Sequence, residues 1–139
     1  MADFAERRVP RFAYDRGVLE IVSPTPRHEQ DKVALESVVL AIAEELDIDH
    51  RPVGSTTYRR EELKQGFEAD SSFYIVNRRF ARDLDEIDPV VDPPPDLVLE
   101  VEVSHPSLDK LAIYAGFGVP EVWRCRANRV SIHRLNNGF

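Results

Sequence analysis

The run Pro95-Asp96-Leu97-Val98-Leu99-Glu100-Val101-Glu102-Val103 constrains this chain more than any other stretch, because it joins a strong strand pattern to three carboxylates. At a period of two, Leu97, Leu99, Val101 and Val103 share one face, and Asp96, Val98, Glu100 and Glu102 share the other. The first face requires a core. The second sets Glu100 beside Glu102, and two carboxylates about 4 Å apart repel by about 4 kcal/mol at an effective dielectric near 20. Such a pair needs solvent, a shared proton or a cation. The solvated face of an edge strand and a metal site both meet that need.

A chain of 139 residues, 42% hydrophobic and 31% charged, is long enough for one domain with a core and too short for two ordinary ones. No apolar run approaches the roughly 20 residues that span a bilayer, and Met1 to Arg8 lacks the apolar segment of a signal peptide, so a cytoplasmic protein without a membrane partner is expected. The lone Cys125 excludes an internal disulfide and a cysteine-based zinc cluster. A net charge of −7 argues against a generic nucleic-acid coat, but not against a nuclease, whose bound ions reverse the sign of the charge where DNA approaches. Arginine supplies 15 of the 18 basic residues, which singles out the few lysines for attention.

Arg11 to Tyr14 and Val18 to Val22, joined at Asp15-Arg16-Gly17, predict an N-terminal hairpin over about 11–22. Thr25 followed by Pro26 predicts an N-cap and first helical position, with a helix from about Arg27 to Leu46 whose buried stripe is Leu35, Val38, Val39, Ile42 and Leu46. Glu29 lies in its first turn, where the helix dipole alone explains a carboxylate; an accessory metal or water ligand is the other reading. His28 reads as a surface residue. Ser55 to Arg59 and Ser71 to Val76 predict strands, with a polar loop over 61–66 between them and Asp70 at the start of the second. Arg82 to Pro95 is an acidic, proline-rich loop. After the central strand, Ser107 is the expected N-cap of a helix with Leu108, Leu111, Ala112 and Ala115 on its apolar stripe. Lys110 and Tyr114, four apart, share a helix face. Val119 to Cys125 and Arg129 to Leu135 predict a strand pair turning at Ala127-Asn128. The order predicts one α/β domain over 1–139, core about 25–135, with a mixed β-sheet flanked by helices.

Asp70, Glu100 and Glu102 are hard oxygen donors suited to Mg²⁺ or Mn²⁺ if their strands pair. The histidines at 28, 50, 105 and 133 show no zinc spacing, and no phosphate loop or nucleophile elbow is present.

Four segments in order, Thr25-Pro26-Arg27-His28-Glu29, Gly66 to Ile75, Pro94 to Val101 and Leu108 to Trp123, resemble the Uma family of putative restriction endonucleases, within the PD-(D/E)XK nuclease superfamily. The resemblance covers almost the whole chain. It implies a restriction-endonuclease-like fold and Mg²⁺- or Mn²⁺-dependent hydrolysis of DNA phosphodiester bonds, with a homodimer compatible. It places Asp70 as the first metal-binding acid, Glu100 as the second, and Glu29 as the first-helix carboxylate. Two departures stand out. Ala69 replaces the usual proline before the acid, and Glu102 occupies the place of the strand lysine, where it would serve as a further ligand. Lys110, on the following helix, is then the relocated lysine or a solvated helix residue. The competing class is a degraded nuclease fold that binds nucleic acid or protein without catalysis.

Overall fold

The computed structural model describes residues 10–75, 83–102 and 108–136. The expected hairpin forms from β1 (Arg11–Asp15) and β2 (Val18–Val22), which turn at Arg16 and Gly17, both at positive φ. That backbone matches the twist of paired strands, and glycine adopts it without a Cβ clash. A two-residue strand β3 (Arg51–Pro52) precedes β4 (Thr57–Arg60). The loop expected over 61–66 is instead a 3-10 turn, Glu61–Leu63, a left-handed Lys64 and a further strand, β5 (Gln65–Glu68). β5 fills the gap between β1 and β4, giving a four-stranded antiparallel sheet in the order β2-β1-β5-β4.

A second sheet holds β3, β6 (Ser71–Tyr74), β7 (Leu97–Val101), β8 (Glu121–Arg126) and β9 (Arg129–Arg134), in the order β3-β6-β7-β8-β9. β7 and β8 are parallel, so a crossover must join them, and the helix α2 (Lys110–Phe117) lies in it. β8 and β9 turn at Ala127 and Asn128, both at positive φ. The carboxylate-bearing strand β7 is therefore interior to the sheet, not at its edge. The described residues form a mixed α/β arrangement with two sheets and two α-helices.

The first helix, α1 (Pro26–Glu45), begins as expected: the Thr25 side chain accepts the His28 N–H at 3.2 Å, and Pro26 stands in the first turn. Its buried line is His28, Leu35, Val39 and Ala43, whereas Val38, Ile42 and Leu46 of the expected stripe are exposed. The helix is apolar on more than one side, and the line at i, i+4, i+8 ending in the small Ala43 meets the sheet. Leu97, Leu99 and Val101 pack there with Leu35, Val39, Phe73 and Cys125; Val103 lies outside the described residues.

The opposite face of β7 is buried too. Val98 packs with Tyr58 and Phe67 of the four-stranded sheet and with Ile113 and Tyr114 of α2. α2 is capped by Asp109, whose side chain accepts the Leu111 N–H at 3.1 Å; the expected cap Ser107 lies outside the described residues. Ile113, Tyr114 and Phe117 form its buried face, with Leu108 and Leu111 half-buried against the same cluster and Ala112 exposed. The Phe67 ring sets this phase, meeting Tyr114 and Phe117 edge-on at 4.8 and 5.0 Å between centroids.

Candidate functional site

Antiparallel pairing of β6 with β7 matches Ser71 with Leu99, so Asp70, one residue earlier, comes to the end of β7. Its Oδ2 accepts the Val101 N–H at 2.7 Å. Its Oδ1 lies 3.3 Å from Nε2 of His28, which is also 3.1 Å from the Val101 carbonyl oxygen. With its proton on Nε2, His28 donates toward both oxygens. The cap at Thr25 starts α1 over this strand end, and that placement buries the imidazole. His28 Nδ1 is buried with no hydrogen-bond partner.

Glu100 is buried on the adjacent face, where the Tyr114 hydroxyl donates to its Oε1 and Lys110 Nζ lies 3.7 Å from its Oε2. One turn of α2 delivers both partners, as their spacing of four requires. The same ammonium is 3.6 Å from Oε1 of Glu20, on β2, whose Oε2 accepts the Leu108 N–H at 3.1 Å.

The two central carboxyls are driven apart electrostatically. Burial alone would raise Asp70, but hydrogen bonds with His28 and Glu100, the His28 charge and the Val101 N–H outweigh it and hold Asp70 below the usual carboxylate range. Burial, then the charge of Asp70, push Glu100 well above that range, with Lys110 only partly offsetting them. Asp70 thus ionises before Glu100, the expected order for close carboxylates in unlike surroundings. His28 is raised, chiefly by its hydrogen bond to Asp70 and against the effect of burial. For Lys110, burial pulls downward, yet Glu100, Asp70 and Glu20 together raise it, so the lysine stays charged.

Asp70, Glu100 and Lys110 are therefore brought together, with His28, Glu20 and Tyr114 as further members. Glu102 is turned to β8, where its oxygens lie 3.1 Å from Arg124 Nε and 3.7 Å from Arg126 Nε. Glu29 pairs with Lys32 at 3.4 Å and is partly exposed. In the first turn of α1 it is thus the histidine, not the adjacent glutamate, that contacts Asp70. The proline and threonine before His28 were the available signal, since they fix where the helix begins. Nothing in the sequence marks Glu20 apart from its being the one acid in an apolar strand.

The hard oxygens that a divalent cation would use here are those of Asp70 and of Glu100, which adjoins it; Asp70 Oδ1 and the Val101 carbonyl oxygen converge on Nε2 of His28, so a cation between those two would have to displace the imidazole. Among the described residues, no three His, Cys, Asp or Glu side chains are grouped to hold a metal ion, so water would have to complete the shell. Among them, too, no helix is long and apolar enough to cross a membrane.

Comparison with known proteins agrees with this architecture. A solved structure, a putative nuclease belonging to DUF820 from Anabaena variabilis ATCC 29413, superposes with a TM-score of 0.65 at 18% identity, over 88% of this chain and 71% of that one. That likeness shows a shared fold. Nothing among the curated proteins matches. The family model Uma2, described as a putative restriction endonuclease, matches residues 1–139, and the chain belongs to that family.

Proposed function

We propose that this protein is a metal-dependent endonuclease that hydrolyses DNA phosphodiester bonds, with Asp70 and Glu100 as metal ligands and Lys110 as the cationic catalytic group. The observation that carries this reading is the meeting of Asp70, Glu100 and Lys110 at one end of β7, from three separate elements. Family membership and the fold shared with the Anabaena variabilis protein, a putative nuclease, support it. When bound, Mg²⁺ or Mn²⁺ would lower the pKa of a coordinated water and draw charge from the scissile phosphate.

The protein's own groups have distinct tasks. The Val101 N–H and His28 fix the two oxygens of Asp70, and Tyr114 fixes Glu100, so neither carboxylate has to reorganise. Lys110, kept charged by three carboxylates, orients the attacking water and offsets negative charge on the phosphoryl oxygens. Burial on both faces of β7 lowers the local dielectric, and these interactions gain strength accordingly.

The test is incubation of the purified protein with single-stranded, double-stranded and branched DNA in Mg²⁺ or Mn²⁺, against a chelated control. Cleavage that needs the metal and is abolished by Lys110→Ala, with Mn²⁺ binding retained, is the expected result. The pairing of Glu102, in the place of the strand lysine, with Arg124 and Arg126 favours a second reading, a non-catalytic binding module. DNA retention without cleavage of any substrate would select it.

A further inference from the structure

Strand β2 is built inside out. Leu19 and Ile21, which share one face, are exposed by 57 and 63%, whereas Glu20 between them, on the other face, is exposed by only 5%. Hydrophobic burial would favour the opposite orientation, and a slip of one residue in register would deliver it, because alternate side chains point to opposite faces. A carboxylate held out of water is tolerated only where partners compensate it. Glu20 has such partners on α2 and its approach: Leu108 N–H to Oε2, and Lys110 Nζ near Oε1.

We infer that Glu20 is a positioning residue for Lys110, reaching from the N-terminal hairpin to hold the ammonium against Glu100. The functional side of this inference rests on the nuclease reading; the contact itself does not. The lysine stem is long and flexible, and at 20% side-chain exposure Lys110 still reaches solvent. A single carboxylate would leave the ammonium free to pivot. Glu20 and Glu100, at 3.6 and 3.7 Å, bracket it from two sheets.

Glu20→Gln separates this role from a structural one, since the amide oxygen can still accept the Leu108 N–H while the charge facing Lys110 is gone. Three lysines, 32, 64 and 110, make ammonium resonances of ¹⁵N-lysine-labelled protein simple to assign. The Lys110 signal should shift or be lost to solvent exchange in Glu20→Gln, with Lys64 unmoved; an unchanged Lys110 signal overturns the inference. In cleavage assays kcat should fall roughly 10- to 100-fold, as displacement of a catalytic group by about 1 Å does, while the DNA KM stays within about twofold. A kcat within about twofold of wild type also overturns it. Should wild type cleave nothing, the nuclease reading fails and the ammonium spectrum alone decides. Should Glu20→Gln not fold, Lys110→Met probes the contact from the other side, and a Glu20 carboxyl ¹³C resonance that does not move refutes it.

Discussion

The two faces of β7 are equally buried and are held by different physics. Beneath α1, the side chains of Leu97, Leu99 and Val101 share an apolar cluster with Leu35, Val39, Phe73 and Cys125, where area and fit suffice. Toward the other sheet, Val98 has apolar neighbours, but Asp96 and Glu100 need a named partner each: the Ile75 N–H donates to Asp96 at 2.6 Å, and the Tyr114 hydroxyl to Glu100. The first face tolerates substitution by volume. The second tolerates little, because a lost donor leaves a buried oxygen exposed to nothing. A strand sandwiched in this way lets a protein keep carboxylates away from bulk water without sacrificing the strand's anchorage.

The contrast can be broken most forcefully on its apolar side. Leu99→Ala should cost about 2 to 5 kcal/mol in chemical denaturation, as a fully enclosed core truncation. A loss below about 0.5 kcal/mol would mean that this face is not the anchor. On the polar side, Asp70→Asn should lower both Mn²⁺ affinity by calorimetry and DNA cleavage by at least roughly a hundredfold while the fold persists. Equal metal binding by the variant and wild type would remove Asp70 from the site.

A subtler probe is Tyr58, whose hydroxyl donates to that of Tyr74, itself donating to the Pro93 carbonyl at 2.7 Å. Burial is the largest cause raising both phenols above their ordinary value of 10.0. Their folded pKa exceeds the unfolded one, so their contribution is complete below pH 10.0 and lost as pH rises through the folded values. Tyr58→Phe should therefore cost about 1 kcal/mol near neutrality, and its deficit against wild type should narrow in alkali, measured by urea denaturation. Parallel stability curves across that range would contradict the assignment. The smallest effect belongs to Glu102→Gln. Its partly exposed pairs with Arg124 and Arg126 are worth at most about 1 kcal/mol, and cleavage should stay within about threefold of wild type. A hundredfold loss of cleavage would return Glu102 to the metal site.

Periodicity and turn chemistry made much of this fold legible: both hairpins, the cap at Thr25, and β7 with its apolar face all stand where alternation, glycine and proline put them. The approach of Asp70 to β7 was legible once the two strands were taken to pair. What local pattern could not supply was which side of an element would be covered. α1 offers apolar residues over much of its circumference, and only the sheet selects the line through Leu35 and Val39. His28 looks like an exposed helix start until a strand end lies under it. Glu102 follows Glu100 by two residues, but β7 ends at Val101, so the alternation that would align them no longer applies. Glu20 is the extreme case, since its orientation is decided by residues far along the chain.

Those distances along the chain have a kinetic consequence. Glu20 meets Leu108 across 88 positions, and His28 meets Val101 across 73. Contacts of such span form only after long loops have closed, late on the route to the native state. A growing or partly unfolded chain therefore holds Glu20 away from Lys110 and His28 away from the end of β7, so the groups that brace Lys110 and Asp70 arrive only with the finished fold. The distant segments thus act as a latch in time: the carboxylates and the lysine meet their braces only when the chain is complete enough to close those loops.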